Sequence, residues 1–275
     1  MKRDELWVDE EQTEDLRLGL RVKSVLLRER TAYQDLLVVD TDAFGHVMFL
    51  DGCFMVTEKD EFFYHEMLAH VPLMAHPDPR QVLIVGGGDG GTLREVLKHP
   101  EVEQAVLCDI DQRVTEAARA FFPTLSVSLD DPRATIMHQD AIDLVAKASA
   151  KWDVILVDST DPVGAAEGLF SKPFFRDLKR ALAPGGIAVC QAESPLVNAD
   201  VMRRTYLGLK EAFPKASLYT GPAPTYPSGY WSYAVGHEGG DLLPQLRPEP
   251  LGRYYTKAVH AAAFALPPFV QELLR

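Results

Sequence analysis

Residues 81–97, QVLIVGGGDGGTLREVL, constrain this chain more than any other stretch: an apolar run passes into glycines and then into helical spacing. Gly86, Gly88 and Gly91 satisfy G-x-G-x-x-G. That spacing lets the backbone turn tightly and lets a ligand approach main-chain N–H groups at a helix N-terminus. Asp89 stands among these glycines. A carboxylate there repels a pyrophosphate or an amino-acid carboxylate and favours an ammonium. The expected ligand is therefore a nucleoside that carries positive charge.

The surrounding pattern supplies the fold. Strand-like runs at 81–85, 104–109, 134–137, 153–157, 187–191 and 216–220 alternate with helical segments near 92–98, 112–121, 141–149, 172–182 and 199–213. This alternation predicts a parallel, doubly wound sheet with right-handed crossovers. A final run, WSYAVGHE, follows the turn APTYPSG with no helix between, so it is expected to pair antiparallel with its predecessor. That is the topology of a Rossmann-like methyltransferase-type α/β fold rather than of a dinucleotide dehydrogenase.

Residues 1–57 read differently, as period-2 runs (LRVKSVLLRERT, YQDLLVVDT, HVMFLDGCFMVT) broken by turn signals, which predict a small antiparallel β-sheet domain. Residues 58–80 hold a helix, EKDEFFYHEMLAHVPLMAH, expected to end near Pro72, and a PDPR linker. The Rossmann-like catalytic domain is expected over 81–275.

A chain of 275 residues with 47% hydrophobic content can build such a core. Its net charge of −12 argues against nucleic-acid binding. No apolar stretch approaches the roughly 20 residues of a membrane span, and the acidic N-terminus does not read as a signal peptide, so no membrane association and a cytoplasmic location are expected. Cys53, Cys108 and Cys190 are odd in number and widely separated, which reads as reduced thiols, with neither a disulfide framework nor a metal site.

Polar residues fall at the expected strand ends. Asp109 closes the second strand of the alternating series, where its carboxylate can accept hydrogen bonds from both ribose hydroxyls; capping of the next helix is the other role open to Asp109 and Asp111, and ribose is favoured for Asp109, capping for Asp111. Asp140 can accept from an adenine amine, cap a helix, or do both. Asp158 ends WDVILVD, and Asp161 follows in DSTDPVGAAEGLF, a loop with Pro162, Gly164 and Gly168. Taken alone D-x-x-D-P is equally a turn; its place at the carboxyl edge, beside the glycine turn, favours a cationic catalytic site under a mobile lid.

Together GGGDGGTLREVLKH, DSTDPVG, EKDEFFYHEMLAHVPL, PTYPSGYWSY and YYTKAVHAAAFALPPF resemble the polyamine aminopropyltransferases, most closely spermidine synthases of bacterial type. The resemblance runs from about Leu6 to near the C-terminus. It implies transfer of an aminopropyl group from decarboxylated S-adenosylmethionine, a co-substrate, to putrescine or a related short diamine, with no metal and no tightly bound cofactor. It also implies a homodimer or homotetramer.

Residue by residue, it places Gln34 of the YQDL strand near the donor sulfur, Gly86 and Gly88 along the nucleoside, Asp89 on the aminopropyl ammonium, Asp109 on the ribose and Asp140 on the adenine. Ala141 and Ala165 stand beside the nucleoside where the family commonly has Gly and Pro, and Asp109 stands where it commonly has Glu. Asp158 would take the proton from the attacking amine, and Asp161 would hold the far amine, with Ser159 and Thr160 between them in the same loop. Tyr64, His65 and Tyr226 would line the amine channel, the tyrosine hydroxyls lying beside the two carboxylates. An S-adenosylmethionine-dependent methyltransferase is the main rival, and Asp89 separates the two because it would repel the methionine carboxylate. Cadaverine, agmatine and spermidine are alternative acceptors.

Overall fold

The computed structural model describes residues 6–162 and 164–275. Strands β1 (Leu6–Thr13) and β2 (Leu16–Val22) form an antiparallel hairpin. Strands β3 (Ser24–Arg30), β4 (Asp35–Thr41), β5 (Gly45–Leu50) and β6 (Cys53–Thr57) form a four-stranded antiparallel sheet. LRVKSVLLRERT, which reads as one run, changes partner at Lys23: β2 pairs with β1, β3 with β4, and the Lys23 N–H donates to the Asp40 carbonyl at 2.8 Å.

Helix α1 (Glu61–Ala75) is buried at every residue but Phe63, as expected of a helix enclosed on all sides. It does not stop at Pro72 but continues to Ala75. Its last turn buries Leu73, Met74 and Ala75, and its free carbonyls are met from the far end of the chain. The Gln245 N–H donates to Met74 O at 2.8 Å, its side chain donates to Ala75 O at 3.0 Å, and Arg247 donates to Leu73 O. Tertiary hydrogen bonds thus offset what the proline removes.

Beyond α1 the elements alternate: β7 (Gln81–Gly86), α2 (Gly91–Leu97), β8 (Gln104–Asp109), α3 (Gln112–Phe121), α4 (Pro123–Ser126), β9 (Ala134–His138), α5 (Ala141–Lys147), β10 (Trp152–Asp158), α6 (Lys172–Ala181), β11 (Leu182–Gln191), α7 (Ala199–Ala212), β12 (Lys215–Pro222) and β13 (Tyr230–His237). The sheet order is β12-β13-β11-β10-β7-β8-β9. All pairs are parallel except those of β13, which lies antiparallel between β12 and β11. This is the α/β methyltransferase-type topology that the sequence predicts.

One face of the sheet packs against α1 and α2 through Met67, Leu68, Val71, Leu93 and Val96; the other packs against α6 and α7 through Phe174, Phe175, Leu178, Met202 and Leu209. A third cluster joins the N-terminal sheet to α3, where Leu36, Val38, Met48 and Val56 meet Val114, Ala117 and Phe122.

The YYTKAVHAAAFALPPF segment is more than a tail. It forms α8 (Lys257–Ala263), capped by Thr256, whose hydroxyl accepts from Val259 N–H at 3.1 Å, and α9 (Pro268–Leu273). Ahead of α8, the buried Glu66 carboxylate accepts three backbone N–H bonds, from Arg253 at 2.7 Å, Tyr254 at 2.8 Å and Tyr255 at 2.7 Å. Among the described residues no helix is long and apolar enough to cross a membrane.

Candidate active site

The parallel strands β7, β8 and β10 end together, and their carboxyl ends open on one cavity whose opposite wall is the N-terminal sheet. The end of β10 is stitched to the glycine turn: Asp158 pairs with Gly86, and the Gly87 N–H donates to Asp158 O at 2.9 Å. Gly86 has φ +80°, and a Cβ there would collide with that same carbonyl, so the close approach requires glycine. The Asp158 carboxylate is fixed from both sides. Tyr64 OH donates to Oδ1 at 2.8 Å and Thr92 Oγ1 donates to Oδ2 at 2.6 Å.

On the expected nucleoside side, Asp109 Oδ2 accepts from Gly88 N–H and Oδ1 from Asp111 N–H, each at 2.9 Å. A Cβ on Gly88 would meet the Asp109 carboxylate at 2.7 Å. Burial pushes the Asp109 carboxyl up to about 6, against the pull of those two backbone bonds. Asp111 caps α3 as expected, accepting from Arg113 N–H at 3.1 Å, and its other oxygen accepts from Gln34 Nε2 at 2.9 Å and Thr31 Oγ1 at 2.7 Å. Gln34 therefore lies in the turn before β4, not within a strand, because Thr31 and Asp111 draw the chain into the cavity wall. Asp140 caps α5 through Ile142 N–H at 2.8 Å and, with the buried Ala141, also lines the cavity. Ala165 lies in the 3-10 segment Gly164–Phe170, its side chain outside the described residues.

Asp89 lies between these groups and Asp158. Its Oδ1 accepts from Gly91 N–H at 2.7 Å and faces His65 Nε2 at 3.5 Å. Burial raises its carboxyl above the ordinary range, opposed by His65 and reinforced by Asp158. The opposite nitrogen of His65 bonds Glu61 at 2.6 Å.

The expected amine channel holds Tyr64, His65, Tyr226 and the loop Ser159, Thr160 and Asp161, all of which line the cavity. One expectation needs correction. The Tyr226 hydroxyl donates to the Met55 carbonyl at 2.6 Å, so it faces the N-terminal sheet, and Tyr226 offers its ring, 5.3 Å edge-on to Tyr64.

Sequence reasoning missed three residues here. Thr92 sits in the first turn of α2, directly after the glycines, where a hydroxyl reaching the next strand end is readable in principle. Glu193 follows β11 at the same sheet edge, with φ +68° and full burial. Burial first, then the charge of Asp161 and a hydrogen bond shared with it, push the Glu193 carboxyl well above the ordinary range. Glu10 is buried only because β1 folds back on β6, where it accepts from Phe54 N–H at 2.7 Å; burial raises it to about 7, opposed by that bond and reinforced by Asp161. Nothing local in β1 signals this. Among the described residues no three His, Cys, Asp or Glu side chains come together as ligands for a metal ion.

The arrangement is a crevice with acids along its length, a hydroxyl-clamped carboxylate at its centre and aromatic rings on one wall. Comparison with known proteins gives the family. Residues 61–242 match the spermine/spermidine synthase domain, and residues 6–58 match the spermidine synthase tetramerisation domain. The polyamine aminopropyltransferase of Moorella thermoacetica is 49% identical over 272 residues, covering 98% of this chain and 96% of that protein. That of Bacillus subtilis is 45% identical over 274 residues, covering 98% and 99%. Among solved structures, a spermidine synthase in complex with the transition-state analogue AdoDATO superposes with TM-score 0.94 at 40% identity over 99% of this chain and 96% of that one. Spermidine synthase from Thermotoga maritima gives 0.93 at 40% identity over 99% and 95%. The chain belongs to the spermine/spermidine synthase family of polyamine aminopropyltransferases.

Proposed function

We propose that the chain transfers the aminopropyl group of decarboxylated S-adenosylmethionine to putrescine, giving spermidine and 5′-methylthioadenosine. The observation that carries this reading is Asp89: a part-buried carboxylate within the glycine turn, where a methyltransferase would have to receive the methionine carboxylate. The AdoDATO complex of a similar spermidine synthase supports a donor of this class.

Attack by an amine on the carbon beside a sulfonium is a direct displacement with a good leaving group, so the enzyme must align the partners and free a lone pair. An alkylamine with a pKa of about 10.4, by analogy with lysine, is unprotonated in roughly one molecule per thousand or fewer at neutral pH, a handicap of about 4 to 5 kcal/mol. Asp158 is the base that takes the proton. Its two hydroxyl donors, Tyr64 and Thr92, hold it in one orientation. Asp161, with Glu10 and Glu193 behind it, holds the distal ammonium. Gln34, Gly86, Gly88, Asp109, Asp140, Ala141 and Ala165 line the nucleoside; Tyr64, His65, Ser159, Thr160 and Tyr226 line the amine.

The working division is an N-terminal sheet over 1–57, a connecting helix and linker over 58–80 and the catalytic unit over 81–275. A homodimer or homotetramer fits the tetramerisation-domain match and the exposed Leu6, Trp7 and Leu16 of the first hairpin. Cytoplasmic residence accords with three free thiols. Turnover of decarboxylated S-adenosylmethionine against putrescine, cadaverine, agmatine and spermidine tests the reading. Preference for a longer or guanidinylated acceptor would reassign the substrate, and preference for S-adenosylmethionine as donor would overturn the reaction.

A further inference from the structure

We infer that Glu61 is a positioning residue: by accepting a hydrogen bond from His65 it keeps that ring doubly protonated against Asp89 and so sets the pH above which Asp89 can hold the donor ammonium. This rests on the proposed role of Asp89.

The geometry is a line of alternating charge running from the cavity toward the surface. Glu61 and His65 lie one turn apart on α1, and the Glu61 Oε2 to His65 Nδ1 distance is 2.6 Å. A carboxylate can only accept, so Nδ1 must carry a proton. Arg94 of α2 donates to both Glu61 oxygens, at 3.0 and 2.8 Å, which keeps Glu61 in that accepting form. Arg94 in turn bonds Glu95 at 2.7 Å, and Glu95 pairs with Lys98 at 2.6 Å. Although burial would raise Glu61, the bonds and charges of His65 and Arg94 outweigh it and hold it below the ordinary range.

On the cavity side, Nε2 of His65 faces Asp89 at 3.5 Å. The groups facing the ring are Glu61 and Tyr64 from α1, Asp89 from the glycine turn and Asp158 from β10, with Arg94 of α2 lying behind Glu61. Three of these are carboxylates. Burial alone would lower His65, but Asp89, Glu61 and Asp158 outweigh it and hold the ring at about 9. Gly91 makes the arrangement sterically possible, because a Cβ there would fall on the His65 ring.

An imidazolium beside Asp89 opposes the effect of burial and keeps that carboxyl ionised at neutral pH. Both His65 and the Gly91 N–H address Oδ1, leaving Oδ2 for the ammonium. Without the Glu61 carboxylate the ring loses its proton near neutrality, Asp89 takes one up, and the donor loses its anchor.

Two measurements test this. In the unaltered protein, 15N NMR of His65 is expected to show both ring nitrogens protonated at neutral pH, titrating near 9; a ring neutral at that pH overturns the proposal whether or not any variant folds. In Glu61→Gln the acid limb of 1/KM for decarboxylated S-adenosylmethionine should move up by about one pH unit from its place near 6, raising KM about tenfold near pH 5, about twofold near pH 7 and hardly at all near pH 9, with Glu61→Asp restoring part of the shift. A loss equal at every pH, or one confined to kcat, would show a merely structural role. If Asp89→Asn leaves donor KM untouched, the reading of Asp89 fails instead, and the NMR titration separates the two.

Discussion

The ring of His65 occupies the space that a methyl group on Gly91 would need. The third glycine of the motif is thus required by a side chain from α1 rather than by a ligand. In Gly91→Ala the ring must leave its place between Glu61 and Asp89. Crowding of this kind costs about 1–3 kcal/mol. Thermal unfolding should register that loss together with a raised donor KM. Gly19→Ala, where the added carbon meets neighbours no closer than 3.6 Å, should fall within about 0.5 kcal/mol of the parent. Equal behaviour of the two variants would refute the steric argument.

Asp158 and Asp161 are expected to separate kinetically. Asp158→Asn removes the proposed base and should lower kcat by about 10² or more. Asp161→Asn removes the proposed partner of the distal ammonium, an interaction of about 1.5–3 kcal/mol, and should raise amine KM roughly tenfold or more while sparing kcat. Steady-state kinetics with each substrate varied in turn checks both, and matching profiles would contradict the division of labour.

Amine affinity should strengthen with pH through neutrality. Glu10, raised to about 7 by burial, carries a proton below that pH and a charge above it. Since both ends of a diamine stay protonated well past pH 8, with a pKa of about 10.4 by analogy with lysine, only the protein's charge changes in this window. KM for putrescine at saturating donor is expected to fall several-fold from pH 6 to pH 8, and Glu10→Gln should flatten the curve. A KM that rises with pH, or an unaltered slope in the variant, would remove Glu10 from the amine site.

Glu66 ties the last segment of the chain to α1. Its replacement by alanine leaves the Arg253, Tyr254 and Tyr255 N–H groups without their buried acceptor, a loss of about 3 kcal/mol or more. Trypsin should then cleave at Arg253 and Lys257 well before the remainder of the protein, as followed by mass spectrometry. Unchanged digestion would mean that other contacts hold the segment.

The catalytic sheet was legible because each parallel strand is a short apolar run closed by a polar residue, so Asp109 and Asp158 announce themselves at the ends of β8 and β10. Asp111 as a helix cap and Asp140 as both cap and cavity residue were readable from position alone. What the sequence hid was tertiary. The continuation of α1 past Pro72 depends on Gln245 and Arg247, some 170 residues away. The placement of Gln34 depends on Asp111, and the carboxyl of Glu10 is buried by a hairpin whose own pattern is that of an exposed ribbon. The Tyr226 hydroxyl could not be aimed without knowing that Met55 lies opposite.

That last bond has a consequence for how such enzymes can diverge. Because Tyr226 reaches Met55, and Glu10, Gln34 and Cys53 complete the wall that faces Asp158, the crevice belongs jointly to the N-terminal strands and the catalytic sheet, which share no strand. Neither is a smaller enzyme awaiting an accessory. Exchanging the first 57 residues for those of a relative would transplant half of the acceptor's surroundings, making the segment that carries none of the bond-making groups a lever on which amine is used.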